Sequence, residues 1–222
     1  MENKLARCLD HQAGLMNRST PANSTGTFVF RSGWVAAKRL AIATLALGLG
    51  VASAQASDIS VKMTFSGTSE TSPTNLAQPD TSNDGDNFSG NGTLGAFTVR
   101  NLRAISNSPS SSPTCAGATQ LFLPELSGAG VFHFQDGSLL EVNLTQGGDC
   151  IDLVTGLAHC ILSFQITGGT GRFLHASGDL TMTETVSSVL NDALGNPVFF
   201  AATGKFIGTV SGVAADESHG AD

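Results

Sequence analysis

Beyond its first 56 residues the chain is predicted to be all-β, a barrel or a sandwich, on three observations. Apolar residues recur with a period of two, as in "DISVKMTFSG" (58–67), where Ile59, Val61, Met63 and Phe65 share one face. Short runs of this kind follow one another at close spacing. The breaks between them carry glycine-bearing turns.

The first 56 residues read as a segment to be removed. Lys38 and Arg39 precede "LAIATLALGLGVASAQA", an uncharged run closing on Ala52-Ser53-Ala54 and Ala54-Gln55-Ala56. A basic start, an apolar centre and small-residue sites make a cleavable export signal, with cleavage near Ala54 or Ala56. The run is too short and glycine-rich for a spanning helix, which needs ~20 apolar residues. The polar stretch before Lys38 is long for a signal, and Met16 is a candidate start. The expected organisation is therefore leader and signal over 1–56 (38–56 the signal core), one β-barrel domain over 57–210, and a disordered acidic tail over 211–222. An exported protein of 166 residues is large enough for a single core.

Along that domain, strand 58–67 is followed by a loop rich in Ser, Thr, Pro and Asn reaching about Asn87. Strand character resumes over 87–105, and "SNSPSSSPT" (106–114) reads as a low-complexity connector. Further strands are expected around 117–123, 127–134, 138–146, 149–154, 158–167, 173–186 and 198–210. "SSVLNDALG" (187–195) is compatible with a single helical turn.

After Ala56 there are five basic and sixteen acidic residues, a net charge of −11. Such a surface repels a phosphate backbone and anionic lipid, which argues against both as partners. The only Trp, Trp34, lies in the leader and Tyr is absent, so stacking platforms would rest on Phe. Nothing in the sequence sets an oligomeric state.

Two hairpins can be registered from side-chain pattern. In "VFHFQDGSLLEVNLT" a three-residue loop, Gln135-Asp136-Gly137, sets Phe132 and Phe134 on one face with Leu140, Val142 and Leu144. His133 then points away, near Leu139 and Glu141. In "CIDLVTGLAHC" a loop Val154-Thr155-Gly156 sets Cys150 opposite Cys160, and a Cys150–Cys160 disulfide is expected on the buried face. Three cysteines follow the leader, an odd number for an oxidising compartment, and their spacing matches no zinc pattern. The alternatives are three buried thiols, or Cys115 reaching one of the pair from the connector.

"ITGGTGRFLHASGDL" (166–180) raises the question of a phosphate loop. The dinucleotide frame G-x-G-x-x-G from Gly169 meets Leu174 where the third glycine belongs, and the following residues suit a strand. The P-loop frame fails too, because position 199 ahead of Gly204-Lys205 is Phe. The stretch instead reads as a structural corner: Gly168, Gly169 and Gly171 bend the backbone, Phe173 plugs the core, and Ala176 and Gly178 admit a neighbouring strand closely.

At this corner "GGTGRFLHASGDL" is similar to the G-G-T-G-x-F-x-x-A-x-G segment of dirigent proteins and, more loosely, to the matching corner of allene oxide cyclases. "DGSLLEV" (136–142) resembles the G-S-x-L strand ahead of it in dirigent proteins. The resemblance covers about 137–180 and implies an eight-stranded antiparallel barrel with an apolar central cavity. An N-terminal dirigent motif has no counterpart here. Short secreted bacterial domains with GGTGRF-like corners look like nearer relatives, a resemblance that implies a fold and no activity.

Barrels of these families use carboxylates to handle a ligand's protons, and the face pattern offers two candidates. Asp152 alternates with Cys150 and Val154 on the expected inward face, and Glu184 with Leu180 and Met182. A carboxyl in an apolar lumen has a raised pKa and can act as a general acid. The plain alternatives place both in water near strand ends, or have a bulge at Gly178 turn Glu184 outward. His133, His159 and His175 form no local dyad, and no G-x-S-x-G elbow exists. "DTSNDGDN" (80–87) gathers Asp80, Asp84 and Asp86 but lacks EF-hand spacing, so it reads as a solvated acidic turn, and neither metal nor cofactor is expected. The sequons at Asn87, Asn91 and Asn143 carry no weight in a bacterial host. Three classes of function follow: an exported barrel that binds a small apolar ligand or is structural in the envelope, an isomerase or coupling guide using buried carboxylates, and an extracellular interaction module. A ligand-wide lumen lined by Asp152 and Glu184 favours the second; a lumen filled by Phe and Leu favours a structural or interaction role.

Overall fold

In the computed structural model residues 58–72, 74 and 79–214 are described. The export signal and cleavage sites expected within 1–56, and residues 215–222 of the expected tail, lie outside these residues. The first part of that tail is ordered, since Ser211 ends β8, Val213 packs on the core and Ala214 N donates to Arg172 O at 2.9 Å. Eight strands follow in order: β1 Ile59–Thr71, β2 Thr81–Gly92, β3 Phe97–Ser106, β4 Gln120–Phe134, β5 Leu139–Asp152, β6 Leu157–Gly169, β7 Ser177–Asn191 and β8 Pro197–Ser211. Each pairs antiparallel with its neighbour in sequence, and β8 returns to β1, closing the barrel. Closure removes the unpaired edges that an open sheet would expose. Among the described residues the only helical element is a single 3-10 turn, Gly171–Phe173, and no helix is long and apolar enough to cross a membrane.

Sequential antiparallel order places the β1–β2, β3–β4, β5–β6 and β7–β8 connections at one end, and the corner at the other. The corner end is packed solid. Phe65 stacks on Phe88 with ring centroids 4.6 Å apart, and Phe132 meets Phe206 edge-on at 5.0 Å. Phe97, Phe134, Phe164 and Phe173 complete this buried group with Met63, Leu140, Leu162, Leu180 and Met182. An eight-stranded barrel is just wide enough for side chains to fill it, and here phenylalanine does so.

The corner takes the structural form expected of it. Gly168, Gly171 and Gly178 have positive φ values, and a side chain at Gly169 would collide with the Leu139 carbonyl. Only the three-residue 3-10 turn Gly171–Phe173 follows, too short to present a helix N-terminus to an anion. Thr170 ties the bend to β5, its N–H donating to Leu139 O at 2.9 Å while its Oγ1 accepts from Leu139 N at 3.2 Å. Phe173 is fully buried beneath, 4.8 Å from Phe134, and Arg172 lies over both rings.

The first hairpin has the expected register, Phe132 opposite Leu140 and His133 opposite Leu139, with Gly137 at φ 80°. The second does not. Cys150 pairs with His159 and Asp149 with Cys160, so the loop holds four residues, Leu153–Gly156. Asp152 imposes that loop: its Oδ1 accepts from Val154 N at 2.8 Å and Thr155 N at 3.1 Å, and Gly156 N donates to its carbonyl.

Other expectations change with length. The pieces 117–123 and 127–134 are one strand, as are 138–146 and 149–154. "DTSNDGDN" belongs almost wholly to β2 and is no loop. Residues 187–191 continue β7, and Asp192 closes the turn beyond by accepting from Leu194 N and Asn196 N, each at 2.8 Å.

Candidate functional site

The other half of the lumen is polar at its floor, with a cavity above it among the described residues. Its residues arrive by two routes. On β2, β3 and β7 simple alternation carries the inward face past the phenylalanines: Phe88 leads to Asp86 and Asp84, Val99 to Asn101 and Arg103, and Met182 to Glu184. On β4 and β5 alternation is broken. The β3–β4 register shifts between Ala104 and Ile105, leaving Leu126 exposed, and the β5–β6 register shifts between Leu144 and Gln146. Each bulge reverses the faces of what lies beyond it. Glu125 and Asp149 thereby turn inward.

One cation serves all these acids. Arg103 Nε lies 2.9 Å from Asp86 Oδ2, Nη2 donates to Asp86 Oδ1 at 3.1 Å, and Nη1 donates to Glu125 Oε1 at 2.5 Å. Asp149 stands farther off, its Oδ1 3.9 Å from Nη1. Asn101 Nδ2 reaches Asp86 Oδ2 at 3.5 Å. Glu184 is buried, and neither of its oxygens has a hydrogen-bond partner. Glu125 Oε2, Asp149 Oδ1 and Asn101 Oδ1 are likewise buried without a partner.

Burial penalises charge, and a single guanidinium cannot offset five carboxylates. Desolvation pushes Glu184 up from 4.5 to about 8, with Arg103 pulling down and Asp86, Asp149 and Asp84 adding to the rise. Asp84 rises from 3.8 to about 6 for the same leading reason. Glu125 is also held well above the usual carboxylate range by burial, against the pull of Arg103. Cys160 sits between Asp149 and Glu184 in the cross-strand register, and burial followed by those two charges pushes its thiol up. It is an inert proton-bearing group at neutral pH.

Above this floor lies a cavity of about 240 Å³. Asp84, Arg103, Asp149 and Cys160, with the hydroxyls of Ser69, Thr71 and Ser82, form its polar lining; Ile105, Leu123, Ile151, Val186 and Phe200 are among its apolar walls. The lumen is thus divided, neither filled throughout nor open throughout.

Of the two carboxylates the sequence offers, the structure brings only one to the lumen. Glu184 occupies the expected inward position, with no bulge at Gly178 to turn it out. Asp152 does not: it caps the β5–β6 turn, where backbone N–H donors hold it below the usual carboxylate range. The expected Cys150–Cys160 bridge is corrected as well. Cys115 bonds Cys150 with Cα atoms 5.5 Å apart, and Cys160 is a buried free thiol. Both corrections share one cause, since the bulge after Leu144 turns Cys150 and Asp152 outward and leaves Cys160 inward. Cys150 then meets the β3–β4 connection on the outer face.

Sequence reading missed Arg103, Asp86, Glu125 and Asp149 as site residues. An alternation running from Phe88 back through Asp86 and Asp84 was the available signal for β2. His133 and His175 are exposed; His159, also exposed, contacts Thr185 at 3.3 Å. Among the described residues no three His, Cys, Asp or Glu side chains are placed to hold a metal ion. No protein-family model and no curated protein matches the chain.

Proposed function

We propose that this protein binds a small, largely apolar molecule in the cavity above the Arg103 cluster. The cavity of about 240 Å³ above the Arg103 cluster carries the reading. It is roughly eight water volumes, room for about ten non-hydrogen atoms. Apolar walls above a few convergent polar groups are the usual make-up of a ligand site. A purely structural barrel gains nothing from leaving half its lumen unfilled, since a packed interior is the more stable one. Kinship with dirigent and allene oxide cyclase barrels belongs to the same proposal, supported by the closed eight-stranded architecture and the Gly168–Phe173 corner. So does export to an oxidising compartment, which suits the Cys115–Cys150 disulfide.

Glu184 favours a second reading, proton transfer to the bound molecule. An unpartnered carboxyl raised to about 8 is protonated at neutral pH and is matched to general-acid work there.

Native mass spectrometry of protein purified from its own host tests the binding reading. A released small molecule is expected, lost in Ala158→Trp, whose indole would occupy the cavity that Ala158 helps to line. A bare mass, or a ligand retained by that variant, contradicts it.

A further inference from the structure

The floor of the cavity is unbalanced in a definite direction. Carboxyl and amide oxygens dominate its unbonded polar atoms: those of Glu184, Oε2 of Glu125, Oδ1 of Asp149 and Oδ1 of Asn101, beside Arg103 Nε, which faces Asp86 Oδ2 at 2.9 Å. Positive charge is in short supply: the one guanidinium, Arg103, already turns all three nitrogens to Asp86 or Glu125, and the other donors lining the cavity are neutral, the hydroxyls of Ser69, Thr71 and Ser82 and the Cys160 thiol. Buried acceptors left unpaired are costly, and native interiors avoid them unless something else satisfies them. The missing complement is a group with several N–H donors and a positive charge. No three of the acids converge as metal ligands among the described residues, whereas the apolar walls suit a carbon skeleton.

We infer that the ligand is a small organic cation, an apolar body carrying one ammonium or amidinium head that enters beside Asp149, Cys160 and Glu184. This rests on the binding reading above and names its ligand class. Asp84 and Asp149 line the cavity directly, and Glu184 stands across the strand pair from Cys160, which also lines it. The titratable groups sharing this lumen are Asp84 and Asp86 from β2, Arg103 from β3, Glu125 from β4, Asp149 from β5, Cys160 from β6 and Glu184 from β7; the inward residues of β1 and β8 at this level, Ser69 and Ala202, do not titrate. An ammonium entering at neutral pH would ionise Glu184, the displaced proton leaving to solvent, so that the bound state is an ammonium–carboxylate pair.

Hexylamine, hexan-1-ol and hexanoate share one skeleton and differ in the head, and calorimetric titration of each at pH 7 in two buffers of different ionisation heat tests the inference. Hexylamine is expected to bind at least about tenfold more tightly than hexan-1-ol, as charged hydrogen bonds exceed neutral ones by that order, and to release protons. Hexanoate is expected to show no binding. Glu184→Gln should cut hexylamine affinity about tenfold and leave hexan-1-ol unchanged, and Asp149→Asn should act in the same direction. Hexan-1-ol binding as tightly as hexylamine overturns the cation and leaves the binding reading standing. Failure of all three to bind overturns the binding reading itself.

Discussion

Arg103 holds Asp86 at two points inside the barrel, with Nε 2.9 Å from Oδ2 and Nη2 3.1 Å from Oδ1, the two side chains 2% and 0% exposed. A pair so enclosed cannot turn to water when one partner is lost. Arg103→Met is therefore expected to cost about 3–5 kcal/mol in urea unfolding, because it strands buried acids without their counter-charge. A loss below about 1 kcal/mol, the level of a surface pair, would show the cluster to be solvated.

Stability should fall as pH rises through the neutral range. Glu184 has a folded pKa raised to about 8 from 4.5, so the folded state keeps a proton that the unfolded chain gives up. Its contribution is full below about 4.5 and is lost as pH climbs towards about 8; Asp84 acts likewise between 3.8 and about 6. Denaturation midpoints at pH 5, 7 and 9 should decline, and Glu184→Gln should flatten the decline above pH 6. Equal slopes in wild type and variant would remove Glu184 as its source.

The bulge between Leu144 and Gln146 shows how far sequence could reach. Period-two alternation placed Glu184 correctly because the β6–β7 register runs unbroken from Ile166–Gly178 to Leu157–Ser187. The same logic carried along β5 misassigned Asp152 and Cys150, since one extra residue reverses every face beyond it and leaves no mark in composition. β2 was hidden differently. Its Asn, Asp, Gly and Ser residues are those of a loop, and that composition masks the alternation from Phe88 to Asp86 and Asp84. The corner was legible because its glycines answer to local backbone geometry alone.

Disulfide pairing follows from that reversal and can be read chemically. Peptide mapping without reductant should recover Cys115 joined to Cys150, with Cys160 recovered as a free thiol. Cys150→Ser should lower stability by about 3–4 kcal/mol, the loop-closure value for a separation of 35 residues. Cys160→Ser should leave the bridge intact.

The corner is expected to be intolerant at two points. A methyl at Gly169 would lie 2.0 Å from the Leu139 carbonyl oxygen, so Gly169→Ala should disrupt the β5–β6 end and lower the melting temperature. Phe173→Ala would empty a site enclosed on every side and cost about 3–5 kcal/mol in urea unfolding. Leu174→Ala, next to it and 61% exposed, serves as the control expected to be nearly neutral.

All of this depends on an acid sealed within the lumen with nothing from the protein to bond it. Carbon-detected NMR titration of the Glu184 side-chain carboxyl reads that directly. The expected midpoint is about 8. A midpoint at the ordinary 4.5 would place Glu184 in water and contradict the buried acidic floor on which the ligand site is built.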